Sequence, residues 1–176
     1  TVVNNVETLA AESGILITGA DKFSSIGNKK SAGTKLVCLD SFFNNPGVYE
    51  IDMGTPMKKI FNEIGGGYKE EIKAFQIGGP LGGVVPFVEI ENLNLDFQEF
   101  TAKGFMLGHA SVVSIPKDFP MTEYIHHLFE FSAEESCGKC FPGRLGAYRG
   151  KEMFDQAKKK TAKIPLKLLN ELLITM

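Results

Sequence analysis

Cysteine is scarce in this chain, and the features that mark membrane and nucleic-acid-binding proteins are missing. Three cysteines among 176 residues exclude a disulfide framework and indicate reduced thiols or metal ligands. A formal net charge of -2 gives no basic footprint for nucleic acid. No stretch approaches the roughly 18 apolar residues of a membrane span, and the N-terminus lacks the layout of a signal peptide. The composition predicts a soluble globular protein.

Both ends of the chain lie at helix-like runs. Thr1 stands immediately before the first run, and Met176 follows the leucine-rich run 166–173 without a capping residue or a breaker. This pattern predicts a piece excised from a larger subunit.

Residues 1–32 open with a helix signal. Asn5 is a favourable N-cap for a short helix that we expect to end near Gly14. The unpaired N–H groups and partial positive charge of a helix start can hold a phosphate, with Asn and Thr side chains assisting. The alternative is that Asn4 and Asn5 only cap the helix and turn the chain. Residues 21–32, rich in Gly, Ser and Lys, predict a loop or linker.

Residues 33–97 have the periodicity of a small sheet crossed by one helix. The helix, with Thr55 as its cap, has an apolar stripe from Met57 to Ile64 that we expect in the core, and it ends at Gly65. Hairpin, crossing helix and returning strand predict an α+β unit with a ubiquitin-like β-grasp sheet. The predicted strands span residues 34–39, 48–51 and 72–77, and extended chain restarts at residues 84–85.

Two features of this segment resemble cofactor sites but favour other interpretations. The glycine-rich loop 78–83 lacks the Lys-Ser/Thr pair of a P-loop and does not fit the dinucleotide fingerprint, so it predicts a flexible connector. Cys38 lies in an apolar strand with no partner thiol nearby, and we expect it to pack in the core.

The C-terminal part of the chain is predicted to be helical. Residues 98–118 form a connector, and residues 119–176 contain three helices, which begin near Pro120, Leu145 and Pro165. These helices are expected to pack as an antiparallel bundle with a cysteine-containing loop at one end.

In that loop, Cys137 and Cys140 stand two residues apart among Gly and Pro. The spacing suits a metal or iron–sulfur centre, because both thiolates reach one cluster while nearby amides bond to its sulfurs. A cysteine at 143 would complete a strong cluster signature, but residue 143 is Gly143. A reduced pair in a turn stays open, and a redox pair is disfavoured because no strand leads into the motif. Half a zinc site would need one more ligand type, with His109, His126 and His127 as candidates.

Four motifs occur in one order along the chain, at residues 3–9, 33–35, 45–50 and 135–146. Together they closely resemble the NADH-binding flavoprotein subunit of respiratory complex I and its relatives in NAD-dependent hydrogenases and formate dehydrogenases. The resemblance covers essentially the whole chain. Loop 78–83 is more similar to the hydrogenase and formate dehydrogenase branch.

This resemblance implies a role in electron transfer. In that family the complete subunit takes a hydride from NADH onto FMN and passes single electrons to a [4Fe–4S] cluster. The glycine-rich region that binds NADH and FMN upstream in the family is absent here. The implied domains are the end of the FMN-binding domain and a linker at 1–32, an SLBB domain of ubiquitin-like β-grasp fold at 33–97, a connector at 98–118, and an α-helical iron–sulfur domain at 119–176.

The resemblance also implies the site residues. Cys137 and Cys140 would be cluster ligands, whereas the third family ligand falls at Gly143 and the fourth comes from beyond Met176. An all-thiolate [4Fe–4S] cluster needs four sulfurs, so we do not expect this chain to hold a stable one. No catalytic residue is assigned. The residues that would lie against FMN, near its phosphate, are Val3, Asn4, Asn5 and Thr8.

The expected protein is therefore a fragment of an NADH dehydrogenase-type oxidoreductase, inactive alone because the nicotinamide pocket is missing. Its partners would be the other subunits of an NADH dehydrogenase, hydrogenase or formate dehydrogenase complex. The expected location is the cytoplasm, including the inner face of the membrane as part of such a complex. The alternative is a non-catalytic module that docks partner subunits, since exposed sheet edges can recruit partners by strand addition.

Overall fold

The computed structural model describes all 176 residues, Thr1–Met176. It has a mixed α/β fold with a single five-stranded sheet and divides into two units, Thr1–Ile115 and Pro116–Met176. No helix combines the length and the apolar character that crossing a membrane requires.

The sheet is built around β1 (Thr34–Leu39), which pairs antiparallel with β2 (Gly47–Asp52) along its whole length. The spatial order of the strands is β2-β1-β5-β3-β4, so β2 and β4 are the edges. β5 runs parallel to β1, and β3 is antiparallel to β4. The remaining strands are β3 (Ile72–Ile77), β4 (Gly83–Pro86) and β5 (Ser111–Pro116).

The helices of the first unit are mostly short. The first of them, α1 (Val6–Thr18), has thirteen residues and buries none of them. The helix predicted after the hairpin consists of α3 (Met57–Lys59) and a π-helical turn (Ile60–Ile64) that continues it. The other helices are α2 (Ala20–Ser24), α4 (Phe87–Ile90) and α5 (Phe97–Ala102).

An aromatic cluster, defined as Phe43, Phe61, Tyr68, Phe75 and Phe87, forms the centre of the first unit's core. The rings of Phe61 and Phe75 lie 4.8 Å apart between centroids, and those of Phe43 and Phe61 lie 5.1 Å apart. Such tilted and edge-on pairs add to the free energy gained by burying their area. The predicted core stripe is confirmed, since Met57, Ile60 and Phe61 have no exposed surface.

The second unit has three helices, α6 (Met121–Glu134), α7 (Ala147–Lys158) and α8 (Leu166–Thr175). A π-helical turn (Pro142–Gly146) precedes α7. Phe129 of α6 stacks on Phe154 of α7, with ring centroids 5.7 Å apart. The Phe129 ring also occupies the space that a Cβ on Gly150 would need, so the absent side chain lets α6 and α7 approach closely.

Three local expectations are wrong, each for a physical reason. The first helix does not end near Gly14; it continues to Thr18 and stops at Gly19, whose φ of 92° ends the helical hydrogen bonding. Thr55 does not cap α3, because its hydroxyl donates to the Asp52 carbonyl oxygen instead. Cys38 is exposed rather than in the core. Its neighbours Val37 and Leu39 face the core, and successive strand residues point to opposite faces.

The stretch 98–118, which was expected to be a connector, contains β5 in the middle of the sheet. Loop 78–83 is held by the buried Gln76, whose amide donates to the carbonyl oxygens of Gly79 and Gly82 at 2.7 and 3.0 Å. These hydrogen bonds give the loop a defined shape.

The two edge strands provide a matched test of core burial. Val85 in β4 has no exposed surface, whereas Val48 in β2 is 63% exposed. We expect Val85→Ala to lower the free energy of unfolding by about 2 kcal/mol or more, through lost apolar burial plus a cavity. Val48→Ala, the control, should change it by less than about 0.5 kcal/mol. Urea unfolding measures both, and equal losses would contradict the assigned strand faces.

Candidate functional site

The residues predicted to bind cofactors fall into two groups, one in each unit. Val3, Asn4, Asn5 and Thr8 cluster at the start of α1, and all four are exposed. Cys137 and Cys140 lie in the loop between α6 and the π-helical turn that precedes α7. The structure therefore keeps each predicted group together locally.

Asn5 is the N-cap of α1, as the sequence predicts. Its Oδ1 accepts the N–H of Glu7 at 2.8 Å, and its carbonyl oxygen accepts the N–H of Leu9 at 3.1 Å. The capping interpretation of Asn5 is thus confirmed, and it leaves other N–H groups of the first turn available to an anion. The exposed side chains of Asn4 and Thr8 flank this start, so the arrangement fits a phosphate-bearing ligand.

Glu7 is the residue in this region that the sequence did not single out. Its carboxylate pairs with Lys35 and accepts the N–H of Leu36 at 2.8 Å, which ties α1 to β1. Burial by itself raises the pKa of the Glu7 carboxyl, but the Lys35 ammonium and the Leu36 N–H outweigh it and hold that pKa below its ordinary value. No local sequence signal announces this contact, because its partners are far apart along the chain.

The cysteine loop begins where α6 ends and closes where the next helical turn starts. Gly138 adopts a φ of 69°, and its N–H donates to Ser136 Oγ at 3.2 Å. The Cys140 carbonyl oxygen accepts the N–H of Arg144 at 3.1 Å, so helical bonding starts at Cys140 itself. Both Cys137 and Cys140 are free and exposed. Their thiols are therefore accessible for metal binding.

Gly143 lies directly beside this pair. A Cβ atom placed on it would be 3.0 Å from Cys140 Sγ and 3.9 Å from Ser136 Oγ. A side chain at position 143 would thus point toward the Cys140 sulfur. This geometry agrees with the resemblance, which assigns the third ligand to this position.

The zinc alternative lacks further ligands. His126 is buried, and its Nε2 lies 3.5 Å from Asp155 Oδ1, whereas its neighbour His127 is exposed, as expected for adjacent helical residues. His109 belongs to the other unit. In the whole described chain, no three His, Cys, Asp or Glu side chains are arranged to hold a metal ion. A [4Fe–4S] cluster takes four thiolates, and the loop supplies two, so the residues present do not fit that group.

Comparison with known proteins identifies the class. Residues 123–176 match the family described as the NADH-ubiquinone oxidoreductase-F iron-sulfur binding region. The chain is 41% identical over 148 residues to the second F-type subunit of the NADH-quinone oxidoreductase of Rhizobium meliloti, which covers 83% of this chain and 35% of that protein. It is 36% identical over 161 residues to the HndC component of the NADP-reducing hydrogenase of Solidesulfovibrio fructosivorans, which covers 90% of this chain and 33% of that protein.

A solved structure agrees. The crystal structure of an NAD+-reducing [NiFe]-hydrogenase in the H2-reduced state matches all of this chain and 30% of its own chain, with a TM-score of 0.88 and 29% identity. The class is thus that of components of NADH-linked oxidoreductases. Within it, the chain belongs to the family of F-type subunits of NADH-quinone oxidoreductases and related hydrogenases. The chain spans about a third of the length of these curated relatives.

The orientation of position 143 can be tested with Co2+, whose charge-transfer absorbance reports thiolate ligands. Since a cysteine at 143 would reach the Cys140 sulfur, Gly143→Cys should bind Co2+ more tightly than the wild-type chain. Its thiolate band should be roughly half as strong again, for three thiolates instead of two.

The matched control is Gly14→Cys, which adds a thiol where no atom lies within 4 Å of the new Cβ. Equal Co2+ spectra for the two variants would show that position 143 does not face the cysteine pair.

Proposed function

We propose that this chain is part of an NADH-oxidising flavoprotein subunit in which the start of α1 binds FMN and the rest of the chain supports it. FMN, when bound, accepts two electrons as a hydride from NADH and releases them singly. The observation that carries the proposal is 36–41% identity, over 83–90% of this chain, to subunits named as NADH-quinone oxidoreductase and NADP-reducing hydrogenase components.

The role of the α1 start is to bind the flavin phosphate. The exposed Val3, Asn4, Asn5 and Thr8 surround helix N–H groups, and the partial positive charge of a helix N-terminus favours an anion. Asn5 keeps this end ordered by capping it, whereas no hydrogen bond occupies the side chain of Asn4. Asn4 is therefore the better probe of FMN binding, since its replacement leaves the cap in place.

The sheet of the first unit is assigned as an SLBB domain of ubiquitin-like β-grasp fold. The strand order β2-β1-β5-β3-β4, with a helix after the first hairpin and β5 parallel to β1, supports this assignment. The proposed domains remain residues 1–32, 33–97 and 119–176, with 98–118 joining the last two. Since β5 lies in that joining stretch, its strand would belong to the SLBB sheet.

The second unit is the proposed iron–sulfur domain, but in this chain Cys137 and Cys140 offer two of the four required thiolates. We therefore assign no electron-transfer step to it. The other subunits of a cytoplasmic NADH dehydrogenase, hydrogenase or formate dehydrogenase complex are the proposed partners. A docking role is the second candidate function, favoured by the open edge of β2, where Val48 is 63% exposed.

Two preparations test the proposal. The holoenzyme that contains this chain should show FMN absorbance and oxidise NADH with ferricyanide as acceptor. Residues 1–176 alone should oxidise none, because the nicotinamide pocket is missing. A holoenzyme without FMN or NADH oxidation would favour the docking role, and NADH oxidation by residues 1–176 would refute their expected inactivity.

Asn4→Ala in that holoenzyme tests the FMN site more finely. The loss of one hydrogen bond should weaken FMN binding about two- to tenfold, measured by titrating the apoprotein with FMN. Asn62→Ala is the control, since Asn62 is exposed on another helical turn of the same unit. Unchanged FMN affinity in Asn4→Ala would exclude Asn4 from the site.

A further inference from the structure

Glu7 joins the first helix to the sheet through both of its carboxylate oxygens. Oε1 accepts the N–H of Leu36, and Oε2 pairs with Lys35 Nζ. We propose that Glu7 is a positioning residue that fixes the flavin-facing start of α1 against β1, so that FMN affinity depends on it. This inference rests on the proposed FMN-binding function and adds a residue outside the predicted site.

The backbone of β1 explains why a carboxylate is needed here. β1 pairs with β2 from Thr34 to Leu39, whereas its pairing with β5 is limited to Cys38 and Leu39. The Leu36 N–H that donates to Glu7 points away from β2, toward a side where β5 has not yet begun. Glu7 therefore occupies the place of a missing strand partner and satisfies this N–H group.

Lys35 strengthens the requirement. Only 11% of its side chain is exposed, and a shielded ammonium is costly unless it has a partner. The lowered pKa of Glu7 means that the carboxyl is ionised at neutral pH and pairs with this ammonium. The two groups thus depend on one another.

Apolar packing does not do this work. Helix α1 has no buried residue, and Leu16 and Ile17 are 82% and 85% exposed. Hydrophobic contacts therefore contribute little to its placement on the sheet, and the polar contacts of Glu7 carry a larger share than in an ordinary amphipathic helix.

The placement is transmitted directly to the proposed site. The N–H of Glu7 donates to the Asn5 side chain at 2.8 Å, and Thr8 is the next residue. The carboxylate that holds β1 therefore belongs to the residue whose backbone is bonded to the helix cap. If Glu7 lets go of β1, Asn5 and Thr8 lose their fixed position relative to the sheet.

The tether itself is tested in residues 1–176 by amide hydrogen exchange at Leu36. Glu7→Ala should accelerate this exchange about tenfold or more, because a charged acceptor is lost. Glu7→Gln keeps an acceptor oxygen without the charge and should give an intermediate rate. Glu12→Ala, at an exposed position of the same helix, is the control and should leave the rate unchanged. Unaltered exchange in Glu7→Ala would overturn the tether.

The positioning role is tested in the holoenzyme by FMN titration of the apoprotein. We expect the dissociation constant to rise about tenfold or more in Glu7→Ala, less in Glu7→Gln, and not in Glu12→Ala. Accelerated Leu36 exchange with unchanged FMN affinity would overturn the positioning role and leave a purely structural contact. A wild-type holoenzyme that binds no FMN would overturn the proposed function, and Leu36 exchange would still decide the tether.

Discussion

Burial of the aromatic cluster is the interaction on which the first unit depends. Its rings come from the hairpin loop, the π-helical turn, the loop before β3, β3 itself and the segment after β4, so no local piece can bury its ring alone. Aromatic side chains bury more area than other residues and gain further from tilted contacts. The cluster therefore requires the strands and the helical turn to meet in one arrangement.

This constraint leaves the periphery free for binding. Because the core is supplied by residues 37–112, the first helix is not needed to cover it and buries nothing. Its exposed start can therefore serve a ligand, while a polar contact to β1 sets its position. In the second unit, Phe129, Met153 and Phe154 form the core, and the cysteine pair stays outside it with exposed thiols.

Features with a local cause could be predicted from the sequence. The strands at 34–39 and 72–77 match the structure, because their alternation and flanking turns are contiguous signals. The Asn5 cap and the helix start after Pro165 follow from single residues with one strong preference. The two-residue spacing of Cys137 and Cys140 is likewise a local signal, although their role as ligands stays a prediction.

Features that depend on distant partners could not be predicted. β5 was missed because its six residues form a short apolar run, and only pairing with β1, more than 70 residues earlier, makes it a central strand. The Glu7–Lys35 pair was missed for the same reason, since a carboxylate in a helix and a lysine in a strand are both ordinary surface residues. The face of Cys38 depends on strand register, which one residue of slip would reverse.

The seat of Phe129 on Gly150 has a consequence for the cysteine loop. From Phe141 the chain is helical to Lys158, so Cys140 stands at the end of a lever that the contact at Gly150 holds in place, about 15 Å away along the helix. Any side chain at position 150 must displace that ring and tilt the helix. The spacing of the two sulfurs therefore depends on a glycine that never touches them, and a ligand loop in this fold can drift through changes in packing alone.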